Sequence, residues 1–222
     1  MLSNEFYSNE DSKTDTLACL VAGFGGRLKS YQKAIQALLN AGYDVIAFEY
    51  DRNVLDSGNP DDLLNLVESI TKEVEGRASS YERVVCCGVS LGAYISFNVQ
   101  RRIDNAKTGI YGTAGISVSH AIYTAKIFRK VRSKFVGNGY DEASLRKKWE
   151  SIEILDDAGI DSTKSLKIVM GKMDKIVRYR SASRVMDGWK DNGTKVSYFG
   201  LNGRGHTLTI SWYKNNLSKL LI

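Results

Sequence analysis

The feature that most constrains this sequence is a regular alternation of short apolar runs with longer stretches of helical periodicity. "TLACLVAG" (residues 16–23) is compact, continuously apolar and ended by glycines, as a strand buried on both faces of a parallel sheet should be. "LKSYQKAIQALLNAGY" then places Tyr31, Ile35, Leu38 and Leu39 on one helical face, with Gly42 at the C-terminal stop. "YDVIAFEY" is a second strand. Asn59, Pro60, Asp61 and Asp62 open a helix with a cap, a first-turn proline and acids at the positive dipole end. That helix turns Leu63, Leu64, Val67 and Ile70 inward. "RVVCCGV" is a third strand with the helix "LGAYISFNVQRRI" directly behind it. "KTGIYGTAGIS", "LKIVMGK" and "KVSYFGL" supply three more strands, with helices expected near residues 179–190 and through "TLTISWYKNNLSKLL".

Strands alternating with helices imply right-handed βαβ crossovers. The expected fold is α/β: a three-layer α/β/α sandwich with a mostly parallel sheet of about six strands, in one domain over residues 1–222. Residues 117–165 are too many for one crossover. Their patterns ("AIYTAKIFRKV", "DEASLRKKWESIEIL") are helical, so they read as a helical lid insertion over one end of the sheet. Ligands of open α/β sheets bind beyond the C-terminal strand ends, and the insertion begins at that edge.

With 222 residues, 43% of them hydrophobic, the chain can bury one sizeable core. No apolar run is long enough to cross a bilayer. The start "MLSNEFYSNEDSKTDT" is polar and acidic rather than signal-like, so a cytoplasmic location is expected. Cys19, Cys86 and Cys87 fall in buried strands and read as reduced core thiols. No histidine or spaced cysteine pair accompanies them, and no metal is expected. The net charge of +6 raises the question of nucleic acid. Between residues 126 and 148, however, eight Lys or Arg face only Asp141 and Glu142, which accounts for the whole excess. Ile127, Phe128, Val131 and Phe135 there are spaced for an amphipathic helix docked over the sheet. Its basic face reads as solvated lid surface, or as cations steering an anionic or carrier-bound substrate, and not as a nucleic-acid site.

"GVSLG" (residues 88–92) sets Ser90 between glycines at the end of the third strand, immediately before a helix. A serine at so sharp a strand-to-helix turn is held in an unfavourable backbone conformation. Gly88, Gly92 and Ala93 leave room for strand and helix to approach, and the helix N-terminus directs amide N–H groups at the reacting centre. A serine hydroxyl needs a base, and the chain has two histidines. His206, in the glycine-rich loop "LNGRGH" after the sixth strand, is the expected base. His120, at the start of the insertion, is read as structural or substrate-facing. The orienting carboxylate is expected at Asp174, just beyond the fifth strand, whereas Asp156, Asp157, Asp161 and Asp187 read as surface charges or caps. Two backbone N–H donors must hold a developing oxyanion. They are expected at Leu91, after the nucleophile, and at Phe24 in "AGFGG", where Gly25 and Gly26 let the loop fold back. The glycine spacing there does not match a dinucleotide turn.

Across residues 16–220 the sequence resembles the α/β-hydrolase superfamily, in its esterase, thioesterase and prolyl-oligopeptidase-like branches. "AGFGG" is similar to the oxyanion loop, "GVSLG" to the nucleophile elbow, "GKMDKIV" to the acid loop and "GRGH" to the histidine loop. "FEYDRNVLDSG" is similar to the stretch after the second strand, without its middle glycines. The histidine that often precedes the oxyanion loop is Ala22 here, and the N-terminal antiparallel strands of larger members read as shortened or absent. The resemblance implies a serine hydrolase acting on a small carboxylic ester or thioester without a cofactor, with Gly25 and His120 as substrate-facing candidates. An acyltransferase or peptidase using the same triad, or a non-catalytic hydrolase-fold binding protein, are the alternatives. The sequence is compatible with a monomer or a homodimer.

Overall fold

The apolar runs become strands between two layers of helices. A computed structural model describes residues 2–9, 14–154 and 162–221. The first half runs β1 (Leu2–Tyr7), β2 (Thr16–Val21), α1 (Gln32–Asn40), β3 (Asp44–Tyr50), α2 (Asn53–Asp56) and α3 (Pro60–Ala78). The middle comprises β4 (Arg83–Val89), α4 (Leu91–Arg102), β5 (Thr108–Gly112), α5 (Val118–Thr124), α6 (Arg129–Gly137) and α7 (Glu142–Lys148). Then come β6 (Ser165–Gly171), α8 (Tyr179–Asp191), β7 (Lys195–Leu201) and α9 (His206–Asn216).

The seven strands form one sheet in the order β1-β3-β2-β4-β5-β6-β7. All neighbours are parallel except β1, which runs antiparallel to β3. Alternate residues of β2 feed two cores, one on each face. Leu17, Cys19 and Val21 join the cluster under α3, α4 and α8, while Ala18 and Leu20 join the one under α1 and α9. The three cysteines are free and buried; burial raises the Cys87 thiol above its ordinary range, and a hydrogen bond with Cys86, together with burial, raises that of Cys19.

Strand β1 adds a seventh strand to the six read from the sequence. The N-terminal antiparallel strand is present, but it is a sheet edge whose residues Ser3, Asn4, Glu5 and Phe6 are exposed. Its pairing is carried by backbone groups, so its side chains show no burial pattern.

Helix α3 starts as its sequence requires: the Asn59 side chain accepts from Asp61 N–H, with Pro60 in the first turn. It buries Leu63, Leu66, Val67 and Ile70, with Leu66 taking the inward position expected of Leu64. Residues 117–154 contain α5, a single 3₁₀ turn at Lys126–Phe128, α6 and α7. Their apolar faces are continuous with the larger core. Phe135 meets Trp149 edge-on at 5.6 Å, and the Trp149 indole N–H donates to Pro60 C=O at 2.8 Å. Ile127, expected in the docked face, is instead 69% exposed, because it lies in the 3₁₀ turn ahead of α6. Among the described residues no helix is long and apolar enough to cross a membrane, and no cluster of His, Cys, Asp and Glu could hold a metal. Asp156, Asp157 and Asp161 lie outside the described residues.

Candidate active site

Ser90 sits where β4 gives way to α4, with φ 54° and ψ −126°. A left-handed φ on a residue with a side chain is uncommon and costly, so neighbouring contacts must fix it. The Ser90 N–H donates to Gly112 C=O at 2.8 Å and to the Thr113 hydroxyl at 3.1 Å. Thr113 is itself buried at φ 49° and tied to β6 through its N–H to Val169 C=O. Behind the serine, α4 lies almost on β2: a Cβ on Gly92 would stand 2.3 Å from the carbonyl oxygens of both Val21 and Ala22. Only a glycine permits that approach.

His206 is the first residue of α9, and its Nε2 lies 2.9 Å from Ser90 Oγ. Its Nδ1 lies 2.7 Å from Asp174 Oδ2. The Asp174 side chain is fully buried, and its other oxygen accepts the backbone N–H groups of Ile176 and Val177 at 2.8 and 2.9 Å. Those two donors set the carboxylate's orientation before the imidazole is considered. The acid and histidine loops are laced together by Lys172 N–H to Leu201 C=O and Met173 N–H to Arg204 C=O, each 3.0 Å. Gly171 makes the lacing possible, since a Cβ there would lie 2.3 Å from Arg204 C=O. An imidazole held between carboxylate and hydroxyl, with Nδ1–H donating to Asp174, presents a bare Nε2 to the serine proton.

Phe24 follows β2 in a tight turn closed by Gly26 N–H to Gly23 C=O at 2.8 Å. The turn is anchored by Tyr31, whose hydroxyl accepts Gly23 N–H at 2.9 Å, and burial raises the phenol so that it remains a hydroxyl. Among the described residues, neither Phe24 N–H nor Leu91 N–H donates to a protein acceptor. Both are free to serve an incoming oxygen. The Phe24 ring lies between the Arg52 guanidinium, 4.7 Å from its centroid, and the Phe128 ring, 6.2 Å away.

Two cavities meet at Ser90. The larger, about 710 Å³, runs from the Phe24 loop to His206 and Thr207 under α6. The smaller, about 40 Å³, lies on the α4 and α5 side between Leu91, Tyr94, Val118 and Val177. Phe128 and Ile176 contribute to both walls.

The structure thus brings Ser90, Asp174, His206, Phe24 and Leu91 together, and Gly25 lines the larger cavity. His120 does not join them: it is half exposed on α5 and pairs with Glu142 at 2.8 Å. Asp187 lies on α8, away from any strand exit. Sequence reasoning missed Thr113, for which "GTAG" carries no signal, and the backbone donors of Ile176 and Val177. It also missed Arg52 and Lys214, whose place at the cavity depends on tertiary structure alone.

No family model matches the sequence, and no curated protein matches it. Solved structures do match. An alpha-beta serine hydrolase homologue from Coxiella burnetii aligns with a TM-score of 0.60 and 16% identity, over 99% of this chain and 89% of its own. Esterase 2 of Thermogutta terrifontis, phosphoramylated by tabun, gives 0.71 and 14% over 99% and 88%. An acylaminoacyl peptidase from Pyrococcus horikoshii gives 0.68 and 15% over 99% of this chain but 38% of its own. At these identities the likeness is one of fold.

Proposed function

We propose that this chain, which has the α/β-hydrolase fold, is a serine hydrolase that cleaves a carboxylic ester or thioester through an acyl-enzyme on Ser90. The observation that carries the proposal is the unbroken chain Ser90 Oγ to His206 Nε2 (2.9 Å) and His206 Nδ1 to Asp174 Oδ2 (2.7 Å). Ser90 Oγ attacks the carbonyl carbon as its proton passes to His206 Nε2. Phe24 and Leu91 N–H groups hold the oxyanion. Collapse breaks the carbonyl carbon's bond to the leaving oxygen or sulfur, which takes the proton from His206. Water then attacks the acyl carbon, gives its proton to His206, and the acid departs as Ser90 recovers its proton.

The described part of the 117–165 insertion acts in this proposal as a lid, because Phe128 and α6 cover the larger cavity. The volume of that cavity beside His206, about 710 Å³, also suits an acceptor other than water, so acyl transfer through the same acyl-enzyme is the second reading. We place the chain in the cytoplasm on its buried, free thiols. A fluorophosphonate probe is expected to label Ser90, and Ser90→Ala to abolish ester turnover. Binding of a substrate without labelling would instead support a non-catalytic protein. Comparing hydrolysis with transfer to added alcohols and thiols separates the two enzymatic readings.

A further inference from the structure

We propose that the leaving group of the substrate is a phosphorylated thiol or alcohol, recognised by a cationic site in the larger cavity. The inference rests on the acyl-enzyme reading above and assigns the two cavities their sides. A leaving oxygen or sulfur must collect the proton on His206 Nε2, so it departs into the cavity that His206 and Thr207 line. The 40 Å³ pocket touches Ser90 and Leu91 but not His206, and it takes the acyl group.

The leaving-group cavity is lined by Arg52, Lys130, Lys134 and Lys214 against a single carboxylate, Asp56, a formal excess of three positive charges. Asp56 is already bound by Arg52 at 3.2 Å. Lys214 lies 4.9 Å over the Tyr31 ring. Lys130 and Lys134 have no carboxylate partner among the described residues. Four positions apart on α6, they share the helical face that Val131 turns toward the cavity. That helix is fixed over the site. A Cβ on Gly58, which has φ 71°, would lie 2.7 Å from Lys134 Cβ, and Asn138 Nδ2 donates to Gly58 C=O at 3.0 Å. Three elements distant in sequence, the β3–α2 corner, α6 and α9, therefore converge like charges on one cavity. Such convergence is unfavourable without a ligand of opposite charge. A monocarboxylate would leave most of the excess unmet, whereas a phosphate ester, near −2 at neutral pH, meets most of it, and lysines bind phosphate as point charges.

The test compares propionyl-4′-phosphopantetheine with propionyl-pantetheine, which share the thioester and differ only in the phosphate. For the wild-type protein at low salt, kcat/KM is expected to favour the phosphorylated substrate by about tenfold or more, the sum of several exposed charge contacts. High salt should shrink the ratio. In Lys130→Gln/Lys134→Gln the ratio should fall towards unity. In Lys126→Gln/Arg129→Gln, which removes equal charge from the same segment outside the cavity, it should stay near the wild-type value. A wild-type ratio near unity, or an equal collapse in both double variants, overturns the site. Fluorophosphonate labelling of Ser90 is read in parallel: labelling with a flat ratio sinks the anion site alone, while absence of labelling and turnover sinks the acyl-enzyme as well. Presenting the same phosphate-bearing arm on a carrier protein, against the free thioester, tells which source of the phosphate the cavity prefers.

Discussion

Asp174→Asn tests the site where its geometry is most demanding. In the wild type, Oδ1 accepts two backbone N–H groups and Oδ2 faces His206 Nδ1. An asparagine is nearly isosteric, but its oxygen must stay with Ile176 and Val177, since turning the amide would point N–H at two N–H donors. The NH₂ then faces Nδ1, which must accept, so the imidazole proton moves to Nε2 and points at Ser90. In that tautomer His206 cannot take the serine proton. The expected loss is about 10⁴-fold in kcat, or about 5 kcal/mol of barrier, from one atom exchanged at fixed geometry. The assay is steady-state hydrolysis of 4-nitrophenyl acetate at neutral pH, alongside thermal unfolding. The melting temperature of the asparagine variant should stay within a few degrees of wild type, because both backbone donors keep an acceptor. Asp174→Ala orphans those donors at about 1–3 kcal/mol each and should lower it by about 10 °C. An asparagine variant keeping a tenth of the wild-type rate would refute the orienting role of Asp174.

Gly92→Ala places a methyl group 2.3 Å from two backbone oxygens that cannot rotate away, and should cost more than about 3 kcal/mol in urea unfolding; a loss below about 1 kcal/mol would mean the helix does not approach β2 so closely. The 40 Å³ pocket has little more room than a water molecule's share of volume, so kcat/KM should fall by at least about tenfold from 4-nitrophenyl acetate to the octanoate, and a flat or rising series would reassign the acyl side. Glu153 is 2% exposed, accepts from the Ser119 hydroxyl at 2.7 Å and leaves Oε2 without a partner. Burial holds its carboxyl above the usual range, so the group favours folding while protonated and that contribution is lost as pH rises through its folded-state pKa. Glu153→Gln should therefore gain on wild type as pH rises from about 4 to 7, measured as the difference in unfolding free energy; a constant difference would contradict it.

The central strands were legible because burial on both faces leaves a continuous apolar run, and β2, β3, β4 and β6 fall within two residues of their expected bounds. Ser90, Asp174 and His206 were legible for another reason: each stands just past a strand's C-terminal end, where the topology collects functional groups. The edge strand β1 was not, since its exposed Asn4 and Glu5 look like loop. Of the eight cations between residues 126 and 148, only Lys130 and Lys134 line the cavity. The others go elsewhere: Lys148 pairs with Asp61 at 2.8 Å, and Arg132 donates to Tyr123 C=O at 2.6 Å. Nothing in the local pattern separates these fates, because a solvated charge leaves no periodic trace.

Chain order alone would also have concealed how the proposed triad is held. Asp174 and His206 belong to one rigid corner, where the exits of β6 and β7 are laced by backbone hydrogen bonds around Gly171. Ser90 belongs to another, the junction of β4 and α4 pressed onto β2. The link between the corners is the end of β5. Gly112 C=O and the Thr113 hydroxyl hold Ser90 N–H, while Thr113 N–H binds Val169 in β6. The 2.9 Å between Ser90 and His206 is thus set through a strand that contributes none of the three side chains. Thr113 adopts a left-handed φ despite its β-branch, a strain of order 1–3 kcal/mol. A serine there would keep the hydroxyl and relieve part of the strain, whereas a valine would keep the strain and lose the hydroxyl. If the brace positions Ser90, Thr113→Val should lower kcat far more than Thr113→Ser, although the valine is the closer match in shape.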